Sequence, residues 1–294
     1  MANARARDGG KAKAHRRSAK PDIRTGEGQK ITEREVEDIE ELSSPRTPII
    51  YEIVRRQGDE EMVRPIVSLW WSGVAAGMSL SFSLLAQAIL QTHLPDAPWR
   101  PLVADLGYSV GFVMVVMSRQ QLFTENTVTA VLPVIAEFSG PHLVKLARMW
   151  GVVLIANFVG TLFAALFCTF TPVLTPELYN GMLDISRQIM GHSFGEMFFR
   201  GIAAGFLIAA MVWLIPGAET AQFYVIVLMT YLISAGSFMH IVAGSVEGFL
   251  LVLHGELGWL AMLTGFVIPV FVGNIVGGTA LFALIAYAQV MKEI

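Results

Sequence analysis

The feature that most constrains this chain is the stretch from Ile66 to Leu90: 25 residues without a formal charge, between Arg64 and Arg100. At a rise of about 1.5 Å per residue such a run spans a hydrocarbon core of about 30 Å with length to spare. Comparable runs cover Met149 to Pro176, Gly201 to Ala218 and Leu257 to Met291. The composition agrees, with 54% hydrophobic and 15% charged residues, where soluble domains carry about 25% charged residues. A soluble fold is therefore excluded. Cys168 is the only cysteine, which removes intrachain disulfides, thiolate zinc sites and iron–sulfur clusters from consideration.

Two further apolar regions are interrupted. Leu106 to Ser118 is cut by Arg119 and Glu125 before Asn126 to Ala136, and Thr220 to Met239 meets His240 and Glu247. Counted as broken spans, they bring the total to six. Six spans divide into two sets of three, and an odd number per set makes the second half enter the membrane from the opposite side. The expected fold is an all-α membrane protein of six transmembrane helices, two inverted three-helix repeats, with broken second and fifth helices. Unwound backbone at membrane depth is tolerated only where it is buried in protein or lines a wet cavity, so the matched breaks point to a pathway.

Charge sets the expected orientation. Fourteen of the 21 Lys and Arg fall within residues 1–64, which places both termini in the cytoplasm by the positive-inside rule. Trp70, Trp71, Trp99, Trp150 and Trp259 lie near span ends, as interfacial anchors do. Residues 1–46 are read as a largely disordered cytoplasmic tail, basic and then acidic; its first 30 residues hold almost no large apolar side chain to offset ordering entropy. Nucleic acid is not an expected partner; a solvated topogenic tail accounts for the basic residues. Within the tail, Thr32 to Glu35 has the form of a capping box. Residues 47–64 follow as an amphipathic interfacial helix, with Thr47 and Pro48 as N-cap and first residue, Ile49, Ile50, Ile53 and Val54 on one face, and Gly58 as its end. Residues 65–294 form the six-helix membrane domain.

The polar groups at the breaks carry the chemistry. His240 is the one histidine deep in a span, able to hydrogen-bond an anion or exchange a proton, or to tie two helices together as a neutral group. At the first break Leu122 and Phe123 can narrow a passage and Thr124 can cap a half-helix or contact a solute. Arg119, Glu125 and Glu247 are costly in a membrane unless wet or paired, and mutual ion pairing stands beside a substrate role. Gln121 and Asn126 flank the same break.

Gln121-Leu122-Phe123-Thr124-Glu125-Asn126, His240, and Gly273-Asn274-Ile275-Val276-Gly277-Gly278 in the last span together resemble the formate/nitrite transporter family. The resemblance covers residues from about 47 to 290. It implies an aquaporin-like protomer with its own pore, a homopentamer, and passage of small monovalent anions such as formate, nitrite or hydrosulfide, by channel or proton-coupled transport. It further implies that Leu122, Phe123 and Thr124 form a cytoplasmic constriction and gate, that His240 is the central proton donor, and that Tyr108, Phe112 and Ile233 form an outer constriction. The chain departs from the family pattern in reading Arg119-Gln120-Gln121 before Leu122, and in Gly244, Gly205 and Ile189, where anion-attracting side chains are usual.

No cofactor or metal is implied, and no HExxH or GxSxG pattern marks an enzyme. The alternatives to an anion pathway are the same fold passing a neutral solute or a cation, or a membrane protein that transports nothing.

Overall fold

The computed structural model describes Thr32 and residues 45–293. The expected tail disorder and the capping-box helix from Thr32 to Glu35 otherwise lie outside the described residues. The first described helix, α1, runs Thr47–Val63, and it corrects the sequence reading in three respects. Arg46 takes the cap position, so Thr47 and Pro48 both lie within the first turn. Gly58 does not end the helix; it is buried in its middle, and a β-carbon there would overlap the Thr129 carbonyl. The buried stripe is Tyr51, Val54, Gly58 and Met62, whereas Ile49 is 46% exposed. The helix therefore docks on protein. Arg148 donates to the Met62 carbonyl at 2.7 Å, and the Tyr51 ring lies 6.0 Å from that of Tyr287.

The four charge-free runs become α2 (Ile66–His93), α5 (Gly140–Phe170), α7 (Phe194–Gly217) and α10 (Trp259–Val290); with α3 (Arg100–Met117), which carries Arg100 and Asp105 and ends at the first break, they are the five described helices long and apolar enough to cross a membrane. Shorter apolar helices lie between them: α4 (Asn126–Ala136), α8 (Glu219–Ala235) and α9 (Ala243–His254). The span edges shift accordingly, α5 beginning nine residues before Met149 and ending at Phe170. One helix was not expected. α6 (Pro176–Met190) follows α5, started by Thr175, whose side chain accepts from the Leu178 amide, and by Pro176 at its N-terminus. It buries Met182, Leu183, Ile185 and Ser186. A capping box of Ser193 and Glu196 then opens α7.

Helix pairs α2–α5 and α7–α10 cross closely on small residues, as helices do in a bilayer that supplies no hydrophobic force between them. Gly77 lies against the Asn157 backbone and Gly160 against the Val74 carbonyl; Gly205 lies against the Asn274 backbone and Gly277 against the Ile202 carbonyl. Gly205 is thus a packing glycine, since a β-carbon there would run into α10. The interrupted pairs α3/α4 and α8/α9 lie against these two helix pairs.

Candidate pore and its central histidine

Both interruptions are built alike. α3 ends and Arg119 takes φ 52°; α8 ends and Ser237 takes φ 50°. These are left-handed conformations uncommon for residues with a side chain. The Gln120 amide then donates back to Val115 O at 3.0 Å, and the Phe238 amide to Ile233 O at 2.8 Å. Beyond these turns the chain is unwound, and its backbone groups need partners that no helix supplies.

Two asparagines supply them. Asn157 of α5 donates from Nδ2 to Gln121 O (2.9 Å) and Gly73 O (2.8 Å), and its Oδ1 accepts from the Phe123 amide (3.0 Å). Asn274 of α10 donates to Met239 O and Gly201 O (both 2.8 Å) and accepts from the Ile241 amide (2.9 Å). Both asparagines are fully buried. Asn274 stands in the motif that carries the family resemblance, but sequence reasoning did not single out Asn157. The signal was present: Asn157 is the one amide side chain in the apolar run of α5.

Between the two clamps lies His240, 2% exposed. Its Nδ1 accepts from the Ala243 amide at 3.2 Å, at the start of α9. That bond leaves the ring proton on Nε2, which donates to Thr124 Oγ1 at 2.7 Å. The imidazole is therefore held as one neutral tautomer, and each break contributes one partner to the bond that joins them. Thr124 is itself fixed, since Thr127 Oγ1 donates to its carbonyl at 2.7 Å.

Aromatic rings surround this centre. Phe112 meets the imidazole edge to face at 5.0 Å, and Tyr108 lies 5.2 Å from Phe112. Phe123 stacks on Phe271 at 5.3 Å and meets Trp150 at 5.6 Å. Leu122, Phe123, Phe112 and Ile233 are all fully buried. Gln121 and Asn126 pair with each other at 3.2 Å.

Two cavities flank the buried layer. One, of about 360 Å³, reaches His240 and Tyr108 and is also lined by Asp105, Glu247, Gln188 and Arg100. The other, of about 190 Å³, lies beside α1 and is lined by Glu61, Arg119, Gln120 and Glu125, among others. Mutual ion pairing of Arg119, Glu125 and Glu247 is overturned: among the described residues none of the three forms a salt bridge, and Glu125 Oε1 is buried without a partner. Glu247 lines a different cavity from Arg119, and Glu125 shares the Arg119 cavity without forming a salt bridge with it. Arg187 does not stand in for the missing cation at Ile189. Its guanidinium turns away to Glu256, at 2.6 and 2.8 Å.

Residues 48–288 match the family model described as formate/nitrite transporter. The chain is 43% identical over 260 residues to the inner membrane protein YfdC of Escherichia coli K12, covering 88% of this chain and 84% of that protein. It is 27% identical to the formate channel FocA of Haemophilus influenzae, over 73% of this chain and 84% of the relative. A solved pentameric formate channel with formate bound superposes with TM-score 0.68 at 22% identity, over 77% of this chain and 98% of that one. The all-helical fold with its two interrupted helix pairs is thus that of a known channel, and the chain belongs to the formate/nitrite transporter family.

Proposed function

We propose that the protein passes small monovalent weak-acid anions, with formate as the reference substrate, through a pore in each protomer of a homopentamer. In this reading residues 65–294 are the pore domain, six spans arranged as inverted repeats, and the matched asparagine clamps support that symmetry. The membrane is the cytoplasmic one, with both termini inside; α1 then lies on the cytoplasmic side, and the 360 Å³ vestibule opens outward. Residues 1–46 stay in the cytoplasm.

The observation that carries the reading is His240. A neutral imidazole with Nε2–H directed at Thr124 lies at the inner end of a polar vestibule, and buried Leu122 and Phe123 lie on the other break. An anion arriving from the vestibule finds a donor N–H, the start of α9 with its partial positive charge, and apolar walls that exclude water. It crosses as the ion, or as the neutral acid after taking a proton. Tyr108, Phe112 and Ile233 form the outer constriction, while Leu122, Phe123 and Thr124 form the gate on the α1 side, with Gln121 and Asn126 bracing it. Arg119, Glu125 and Glu247 line the approaches.

Flux in proteoliposomes tests this, with formate, nitrite, hydrosulfide, acetate and chloride as probes. Formate flux is expected, with His240→Asn lowering it at acid pH by about a hundredfold or more, the scale of one lost proton donor. Absence of flux for all five anions in folded wild-type protein would refute the reading. A His240→Asn protein with unchanged flux and pH profile would remove the histidine from it.

A further inference from the structure

The vestibule contains a carboxyl group that an anion pathway does not call for. Glu247 is 4% exposed, lines the cavity together with His240, and forms no hydrogen bond or ion pair among the described residues. Its Oε2 lies 3.6 Å from the point where a β-carbon on Gly244 would stand, so the carboxyl fills room that a side chain on that glycine would otherwise enter. The edge of Phe266 closes the other side of that space. Burial without a donor is costly for an ionised carboxylate, and nothing nearby offsets it.

The surrounding elements bring little positive charge. α2 contributes Gln87 and Gln91; α3 contributes Tyr108, Asp105 and Arg100. Asp105 is satisfied, accepting from Gln87 Nε2 at 2.8 Å and Ser234 Oγ at 2.6 Å. Arg100 is 3.1 Å from Asp96 and is the one cation among the lining residues. α6 contributes Gln188 and Ile189, while its Asp184 and Arg187 are bonded to each other and, through Arg187, to Glu256. α5 meets α9 through Thr161 and Ser245, and its Cys168 lines a separate apolar cavity. α10 brings Phe266 and Met262 and no titratable group there.

From this arrangement we infer that Glu247 is the specificity-determining residue of the vestibule: ionised, it turns anions away from His240, and protonated, it admits them by donating a hydrogen bond. The substrate class is a weak-acid anion that arrives together with a proton. No bond beyond O–H and hydrogen bonds is made; the proton on Glu247 comes from the vestibule water, and it either stays on the carboxyl or leaves with the substrate as the neutral acid. The inference rests on the anion pathway proposed above, and it gives Glu247 a sign opposite to that of His240.

The test is formate flux in proteoliposomes of full-length wild type, Glu247→Gln, Glu247→Asp and Asp105→Asn, with equal pH on both sides, at about pH 5.5 and about pH 7.5. Formate is ionised in bulk across that range, so the profile reports the protein together with its proton uptake. Wild-type flux is expected to rise at acid pH. In Glu247→Gln the flux at the higher pH rises and the acid-to-neutral ratio falls by about tenfold, because a neutral amide donates without titrating. Glu247→Asp and Asp105→Asn keep the wild-type ratio. A folded Glu247→Gln protein with the wild-type ratio, or with flux lost at both pH values, would overturn the inference and leave the pathway standing. Wild-type protein that passes no formate would overturn both.

Discussion

The two interrupted segments, 118–125 and 236–242, have one skeleton and two chemistries. Each begins with a non-glycine residue at positive φ, Arg119 or Ser237, and each is held by one asparagine bonded to three backbone groups. Aligning the bonds pairs Gln121 with Met239, Leu122 with His240, Phe123 with Ile241 and Thr124 with Val242. The position occupied by an alkyl group in one segment therefore holds the imidazole in the other. Symmetry supplies the unwound backbone, and its violation at one residue supplies the reactive group. Thr124 of the first segment then bonds, through its hydroxyl, the lone imidazole of the second.

The largest effects should come from the clamps, which the comparison makes equivalent. Asn157→Ala and Asn274→Ala each leave a buried carbonyl and a buried amide without a partner, costing roughly 3–5 kcal/mol by the usual desolvation penalties. Thermal unfolding in detergent should show losses of similar size for the two. A loss confined to one of them would break the equivalence of the segments.

Next in size is Leu122→Ala, which cuts a fully buried side chain at the position matching His240. The expected cost is about 2–4 kcal/mol from transfer and cavity terms. In the proposed pathway it also widens the gate, so formate flux should increase even as the unfolding temperature falls. Reduced flux in a folded variant would show that Leu122 supports the segment and does not restrict passage.

Thr124→Val sharpens the comparison at lower cost. It makes the first segment match Val242 and leaves His240 Nε2–H without its acceptor, about 1–3 kcal/mol. Thr124→Ser restores the hydroxyl and should recover most of the loss. The discriminating readout is the pH profile of flux: it should move in Thr124→Val and return in Thr124→Ser, whereas a purely structural threonine would alter stability alone.

Much of this was legible in the sequence because bilayer length and charge are one-dimensional properties. The runs around Ile66, Met149, Gly201 and Leu257, and the breaks at Arg119 and His240, announced themselves as gaps between charges. Leu122, Phe123, Thr124 and His240 stood out because polar or bulky groups beside a break are conspicuous, and the structure brings Thr124 and His240 into one hydrogen bond. What escaped depends on distances across the fold. Asn157 is one amide in an apolar run until the Gln121 and Phe123 backbone groups are seen beside it. Phe271 is an ordinary apolar residue until Phe123 stacks on it. The expected mutual ion pairing failed because Glu247 lies in a different cavity from Arg119, and Glu125, though in the Arg119 cavity, is not within salt-bridge distance of it. α6 escaped because its charged face hid it among loop residues, and Gly205, taken for a lost polar group, proved to be a point where α10 packs directly on the backbone of α7.

The smallest expected effect lies where the two halves are closed differently. The α4–α5 turn is closed locally, His142 Nδ1 bonding the Glu137 carbonyl at 2.8 Å and the His142 amide donating to Ser139 Oγ. The α9–α10 turn is instead tied to α6 by Arg187 and Glu256, an exposed pair that also engages Asp184 at 2.6 Å. Hydrogen bonds from Arg187 hold the Glu256 carboxyl below its ordinary range. A group depressed in this way contributes stability that is present above its unfolded value, about 4.3, and is lost as pH falls through the folded one. Exposed pairs contribute little and are screened by salt. Arg187→Ala should therefore lower the unfolding temperature only slightly at neutral pH and low salt, and the difference from wild type should vanish in high salt and shrink as pH falls from the unfolded value through the lowered folded one. Substituting His142 should show no such salt dependence, because its bonds are local and made to uncharged acceptors. A large, salt-independent loss in Arg187→Ala would mean that the tie positions α6 against the vestibule through Gln188 and Ile189, and the second half would then depend on a contact for which the first has no counterpart.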